Sequence, residues 1–163
     1  MTKTNARVVF SATLDTSLLP TLPEGYNLTA PGAKHDRGMG VVTVEKRKDG
    51  KLYVNNQLVV RYLSPNQQGG QTIRGHELRL ELEREGEPSC LNATFRDFLL
   101  ASQEFIPEDW DGWTYFWDTI AAGPVGGLCV ACLGRLGRRW CGCWLWLGGC
   151  WDSRRSAARL ASI

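Results

Sequence analysis

The feature that most constrains this chain is a change of composition near Ala121. Residues 1–120 carry 13 basic and 16 acidic side chains, a net charge of −3, whereas residues 121–163 carry six Arg and one Asp, a net charge of +5. The tail also holds eight Gly, five of the six Cys and four Trp, and neither Lys nor Glu follows Glu108. Because each Gly costs a helix roughly 1 kcal/mol relative to Ala, the tail is not an ordinary helical segment.

The chain as a whole has the composition of one globular domain. Of its 163 residues 43% are apolar and 22% are charged, which argues against global disorder and against a fibrous repeat. The net charge of +2 gives no indication of nucleic-acid binding. The N-terminus lacks the apolar core of a signal peptide, and no apolar run is long enough to span a membrane. We therefore expect a cytoplasmic protein without a membrane span, although surface display through a partner stays open.

Strand signals dominate the N-terminal part. Residues 7–14 are β-branched and aromatic, which predicts a strand. Residues 41–47 and 52–63 predict a hairpin, since Asp49-Gly50 between them is a strong two-residue turn signal. Residues 18–34 hold three Pro and two Gly and predict a loop.

Two helices and two further strands are predicted after residue 70. Residues 72–87 favour a short helix, and residues 91–105 predict a clearer one with Asn92 as its N-cap. Residues 113–120 (WTYFWDTI) predict a buried strand, and the apolar end at 157–163 suits a final strand.

The cysteines of the tail raise the question of a metal site. Cys129-x2-Cys132 and Cys141-x-Cys143 offer four sulfurs, and a structural zinc needs four thiolates or imidazoles. With the charge of +5, this leaves a zinc-stabilised nucleic-acid-binding module as an alternative. The single residue within the second pair argues against it. Disulfides are not expected, because nothing indicates an oxidising compartment.

A membrane-interface segment and a tail without selected structure are further alternative interpretations of the tail.

The residues missing from the tail have a genetic explanation. Codons that end in C or T, with the first two bases free, never encode Lys, Glu, Gln, Met or Trp. Every residue from 129 to 156 except Trp belongs to the set that such codons encode. An Asn codon altered only at its two adenines yields that set without producing a stop. The pattern indicates adenine-directed mutagenesis around fixed tryptophans.

These motifs resemble the variable proteins of bacterial diversity-generating retroelements. FWDTI at 116–120 is similar to the family's FWGTI strand, and GGLCVACL at 126–133 is similar to GGLYVRCL. The run from Arg139 with its ordered tryptophans resembles the family's diversified block. The resemblance covers roughly residues 70–163 and implies an α+β, C-type-lectin-like fold with a small, mostly antiparallel sheet and two helices. We expect an N-terminal β-rich portion (1–70) and a lectin-like portion (71–163, variable region about 121–156), forming one compact unit.

The resemblance also implies which residues are framework and which are diversified. The expected framework is Trp117, Cys132, Trp140, Trp146, Leu147 and Trp151. The expected ligand-binding, solvent-facing variable positions are Cys129, Ala131, Gly134, Arg135, Leu136, Arg138, Cys141, Cys143, Trp144, Leu145, Gly148, Gly149, Cys150, Asp152, Arg154 and Arg155. Six residues depart from the family pattern. Asp118 replaces Gly, Cys129 and Ala131 replace Tyr and Arg, and Trp144 stands at a usually polar position. Gly142 stands where Trp is expected and so loosens the local core, and Ser156 replaces a common Pro.

The expected function is non-enzymatic binding of a protein or glycan. Arg135, Arg138, Arg154 and Arg155 form an acid-poor patch that favours an anionic ligand. His35 and His76 accompany no recognisable nucleophile or metal motif, so we expect no catalysis, and no cofactor or metal is implied. Nucleic acid is not expected as a substrate.

Overall fold

The computed structural model describes residues 6–36, 39–85 and 90–161. Within these ranges the chain forms an α+β fold of two helices and eleven strands. The helices are α1 (Gly75–Glu85) and α2 (Ala93–Ala101). The strands are β1 (Val8–Asp15), β2 (Lys34–His35), β3 (Val41–Arg47), β4 (Leu52–Val54), β5 (Gln57–Tyr62), β6 (Ile73–Arg74), β7 (Trp113–Ala122), β8 (Leu128–Leu136), β9 (Arg139–Trp146), β10 (Cys150–Trp151) and β11 (Arg155–Leu160).

One mostly antiparallel sheet organises the molecule. Its order is β1-β3-β4-β5-β11-β7-β8-β9, with β2 also pairing with β7, while β10 and β6 form a separate pair. Within the described residues the parallel pair is β11 with β7. The α+β class, the mostly antiparallel sheet and the two helices are confirmed. The sheet is larger than expected, because β5 of the N-terminal portion pairs with β11 and joins β1, β3 and β4 to the tail.

The predicted N-terminal hairpin forms, but its second strand is broken. β3 pairs with β4 across the Asp49-Gly50 turn, where Gly50 has a φ of +78°. Asn55 and Asn56 then adopt φ values of 49° and 65°, the left-handed conformation that Asn tolerates better than most residues. The expected strand 52–63 is therefore two strands, β4 and β5, joined by a second tight turn.

Both predicted helices are present and shorter than expected. Residues 86 and 87 of the first prediction lie outside the described residues. The Asn92 side chain caps α2 by accepting a hydrogen bond from the Phe95 N–H at 3.1 Å, as predicted. A turn of 3₁₀ helix at Gln103–Phe105 follows α2. Neither helix, at 11 and 9 residues, is long enough to cross a bilayer.

The central strands are buried on both faces. On one face, Phe116 and Ala131 pack with Phe95 of α2 in one apolar cluster. On the other, Tyr115 and Cys132 share a second cluster with Leu78 of α1. Since neighbouring residues of β7 and β8 enter opposite clusters, these strands form the middle layer between the helices.

Candidate functional site

The tail folds into a hairpin of β8 and β9 at one edge of the sheet. β9 pairs with β8 from Arg139 opposite Leu136 to Trp146 opposite Cys129. Gly137 makes the turn with a φ of +62°, which glycine adopts without steric penalty. Because side chains alternate along a strand, β9 has two different faces. The α2 side carries Trp140, Gly142, Trp144 and Trp146, and the α1 side carries Cys141, Cys143 and Leu145.

Four of the expected framework residues form the interior beside the hairpin. Trp117, Cys132, Leu147 and Trp151 are all buried. The Trp151 ring lies 5.6 Å from the Trp117 ring and 5.5 Å from the Tyr115 ring, centroid to centroid. Burial raises the pKa of Tyr115 to about 12, so this phenol stays neutral within the cluster. The interior therefore contains an aromatic centre of three rings.

The other two framework tryptophans are less covered than expected. Trp146 is 57% exposed, and Trp140 is half-buried beneath the Arg135 guanidinium, 4.5 Å from its ring centroid. The reason is the position of β9, which is the last strand of the sheet and has neighbours on one side only. The expectation of a buried core residue is wrong for Trp146.

Most of the expected variable positions reach the surface. Thirteen of the sixteen are exposed or partly exposed. The exposed ones are Arg135, Leu136, Arg138, Cys150 and Arg154. The partly exposed ones are Cys141, Cys143, Trp144, Leu145, Gly148, Gly149, Asp152 and Arg155.

Three expected variable positions are buried instead. Cys129, Ala131 and Gly134 lie in β8, which has a strand on each side and is packed on both faces. Burial raises the pKa of the Cys129 thiol. The Trp113 ring covers Gly134 so closely that an added Cβ would overlap its carbon atoms. The expectation that these three residues face the solvent is wrong.

Gly142 is exposed, so the position where a tryptophan is expected lies at the surface beside α2. A Cβ at this position would lie 2.7 Å from Cδ1 of Leu100 and 2.9 Å from Nη1 of Arg96. Both atoms are ends of α2 side chains, which would have to move to admit a larger residue. The expectation that Gly142 loosens the core stays a prediction.

Arg96 ties α2 to both strands of the hairpin. Its Nη1 donates hydrogen bonds to the Cys143 carbonyl at 3.0 Å and the Cys132 carbonyl at 3.3 Å. Its Nε lies 3.1 Å from Oδ1 of Asp97, and the residue is only 5% exposed. Burial lowers the pKa of Arg96, while the neighbouring Asp97 carboxylate opposes that shift. Sequence reasoning missed this residue, because a single Arg in a helix gives no sign that it is buried.

The tip of the hairpin is a basic surface without compensating acids. Arg135, Arg138 and Arg139 are exposed, and none of them forms an ion pair with a described carboxylate. By contrast, Arg61 pairs with Asp111 at 3.0 Å at the surface elsewhere. Positive potential is therefore concentrated at the tip. Arg139 belongs to this surface although sequence reasoning did not assign it there.

The other two arginines of the predicted patch are already engaged. Arg154 pairs with Asp152 at 3.0 Å, and this partner lowers the pKa of Asp152. Arg155 donates a hydrogen bond to the Cys150 carbonyl at 2.6 Å and lies against the Trp151 ring. Of the four arginines expected to bind an anion, only the two at the hairpin tip, Arg135 and Arg138, therefore lack such a polar partner among the described residues.

The cysteines do not assemble into a zinc site. Cys132 and Cys143 are directly opposite each other in the hairpin and form a disulfide, with Cα atoms 5.0 Å apart. Cys129 points to the opposite face of β8 from Cys132, because the two residues are three positions apart and side chains alternate along a strand. No group of three metal-ligating side chains occurs in the described part of the chain. The expectation of no disulfide is wrong, since the register brings these two sulfurs together.

A second polar cluster surrounds Asp118 at the irregular part of β7. The Asp118 carbonyl accepts a hydrogen bond from the Asp36 N–H at 2.8 Å. Burial raises the pKa of Asp118 to about 7, with Lys34 opposing the shift and Asp36 adding to it. Nearby, Nδ1 of His35 lies 2.8 Å from Oγ1 of Thr119. These contacts join β2 to β7.

We expect Asp118→Asn to change how stability depends on pH. The folded-state pKa of about 7 lies above the unfolded value of about 3.9, so the folded state binds this proton more tightly. The wild-type free energy of unfolding should therefore be highest near pH 4, fall toward pH 7 and level above it. Asp118→Asn should remove this fall and unfold at a higher temperature than wild type at pH 8, measured by thermal melts from pH 4 to pH 8. The control is Asp111→Asn, because Arg61 lowers the pKa of Asp111; if Asp111→Asn removes the fall equally, the account of Asp118 is wrong.

The chain matches no known protein family, no curated protein and no solved structure. The functional argument therefore depends on the tail's sequence pattern and on the geometry of the hairpin.

Proposed function

We propose that this protein is a non-enzymatic ligand-binding protein with a C-type-lectin-like fold, whose β8–β9 hairpin and following turns carry positions diversified by a retroelement. The observation that supports this most is the alternation along β9. Cys141, Cys143 and Leu145 share one partly exposed face, whereas the tryptophans of the strand lie on the other. Three residues that fit adenine-directed change thus lie on the face opposite Trp140 and Trp146. Gly142 and the expected variable position Trp144 share the tryptophan face.

The interior supports the same proposal on energetic grounds. When many different residues must be accepted on a surface, the stability of the fold has to come from residues outside that surface. Trp117 and Trp151 are buried, and an aromatic side chain buries some 150–250 Å². Most of the changeable positions contribute little to this cluster, so their substitution should leave the fold intact.

The residues present at the hairpin tip of this protein favour an anionic ligand. Arg135, Arg138 and Arg139 surround the hairpin tip, and the Trp140 ring lies beneath the Arg135 guanidinium. Arginine binds carboxylate, phosphate and sulfate through paired hydrogen bonds, and few well-placed residues dominate the affinity of a binding surface. We therefore propose an acidic protein surface or an anionic glycan as the ligand class.

The double variant Arg135→Ala/Arg138→Ala should elute from a sulfated-polysaccharide column at clearly lower salt than wild type. The reason is the loss of two uncompensated charges from the tip. Arg154→Ala is the matched control, because Asp152 already neutralises that side chain, and it should elute close to wild type. Equal shifts for the two variants would contradict a binding surface at the tip.

A pair of libraries tests the function itself. In the first, the surface-reaching positions other than Cys143, which is bonded to Cys132, are randomised and displayed on phage. In the second, Trp117, Cys132, Leu147 and Trp151 are randomised. We expect most members of the first library to resist protease, most of the second to be digested, and the first to yield binders for unrelated protein and glycan targets. Equal digestion, or no binder to any target, would overturn the proposal. Stoichiometric zinc in the purified protein together with oligonucleotide binding would favour a nucleic-acid-binding module.

A further inference from the structure

Three cysteines of the hairpin lie on one face of the sheet. Cys132 and Cys143 are bonded across the strands, and Cys141 lies two residues before Cys143 on the same side of β9. The residue opposite Cys141 is Gly134, which the Trp113 ring covers, so the route from Cys141 to the disulfide runs along β9 to Cys143. The register thus places a third thiol beside a bonded pair.

The two cysteines of the disulfide differ in how far solvent reaches them. Cys132 is fully buried, whereas Cys143 is partly exposed and lies on β9, the edge strand. Thiol–disulfide exchange requires an attacking thiolate to reach one of the two sulfurs, and access decides which. Cys143 is therefore the more accessible residue of the bonded pair.

The surroundings favour an anionic reagent. Arg135, Arg138 and Arg139 lie at the hairpin tip, and Cys141 follows them along β9. Uncompensated positive charge raises the local concentration of small anions. A low-molecular-weight thiol that carries carboxylates, such as glutathione, has this charge.

We propose that Cys132, Cys141 and Cys143 form a thiol-exchange site that takes up an anionic thiol of the glutathione class. The thiolate of the reagent attacks Sγ of Cys143, the bond to Cys132 breaks, and a bond from Cys143 to the reagent forms. Cys132 leaves as a thiolate and takes up the proton that the reagent lost. No electrons are gained or lost in this step, and one disulfide replaces another.

Cys141 supplies the thiol that reverses this modification. Its thiolate attacks Sγ of Cys143, expels the reagent as a thiolate that takes up the proton Cys141 lost, and leaves a bond between Cys141 and Cys143. Gly142 between them gives the strand the backbone freedom that pairing of two residues on one strand needs. Cys132 can also attack Sγ of Cys143 and restore the original disulfide, so Cys141 adds a second route of release and the modified state lasts longer without it.

The test treats the purified full-length protein with reduced glutathione under nitrogen and maps the products by peptide mass spectrometry. Reduced glutathione does not add to a free thiol without an oxidant, so an adduct reports opening of the disulfide. We expect an adduct on Cys143, at a level several-fold higher in Cys141→Ser than in wild type. Cys150→Ser, which removes an exposed thiol outside the cluster, should behave as wild type.

Three outcomes would overturn the proposal. One is alkylation of both Cys132 and Cys143 before any thiol is added, and another is the lack of an adduct in Cys141→Ser. The third is an equal adduct level with and without Cys141. Circular dichroism of each variant shows whether it is folded. None of these results depends on whether the hairpin binds a ligand, so they are independent of the proposed function.

Discussion

Trp151→Ala is expected to lower the free energy of unfolding by about 3–5 kcal/mol, the range for truncating a buried tryptophan. Trp151 is fully buried and contacts both Tyr115 and Trp117, so its removal leaves a cavity that the sheet cannot close. Chemical denaturation with two spectroscopic probes measures the loss. If Trp151 is the centre of the framework, Trp151→Ala should be among the least stable single substitutions in residues 121–163.

Two substitutions serve as controls for Trp151. Trp146→Ala should cost less than about 1 kcal/mol, because this side chain is 57% exposed although the sequence pattern marks it as framework. Trp151→Phe should cost much less than Trp151→Ala, because the buried indole Nε1 has no hydrogen-bond partner among the described residues and most of the aromatic packing is kept. A loss at Trp146 as large as at Trp151 would show that the edge strand, not the interior, holds the fold.

Arg96→Met is expected to cost about 2–4 kcal/mol and to loosen the hairpin more than the rest of the sheet. The substitution keeps the apolar stem but removes the donors that bind the Cys132 and Cys143 carbonyls. Asp97 also loses its ion-pair partner. Hydrogen exchange should show lost protection in β8 and β9 first, since these strands are the ones that Arg96 joins to α2.

Arg154→Met is the matched control for Arg96. The Arg154 side chain pairs with Asp152 and is 80% exposed, so its loss should leave stability close to that of wild type. If both variants lose equal stability, or if Arg96→Met leaves exchange in the hairpin unchanged, the guanidinium is not the link between helix and hairpin.

Local sequence signals were enough to predict several elements. Asn92 before an apolar helical pattern predicted the cap of α2, because its oxygen satisfies an N–H that the helix leaves unpaired. The aromatic run at 113–120 predicted β7, and Asp49-Gly50 predicted the first turn. The break at Asn55 was missed, since a strand pattern continues on both sides of it and only the backbone shows the positive φ.

The candidate site was harder to predict, because exposure depends on neighbours distant in sequence. The pattern of the tail separated the expected framework residues from the expected variable ones, but it predicted neither strand β9 nor the strand that lies beside it. Gly134 is buried because Trp113 of β7 lies over it, and Trp146 is exposed because β9 is the edge strand. The disulfide follows from the hairpin register, which composition does not encode. Arg154 matched an anion-binding pattern, yet Asp152 two residues away neutralises it.

Sequencing the gene and its flanking DNA in many related isolates tests the central claim most directly. The account predicts a nearby reverse transcriptase and a near-copy template, with codon differences confined to template adenines at the surface-reaching positions. The codons for Trp117, Leu147 and Trp151 should be unchanged in every copy. Isolates without such a template, or copies in which these three codons vary as often as those for Arg135 and Arg138, would contradict it.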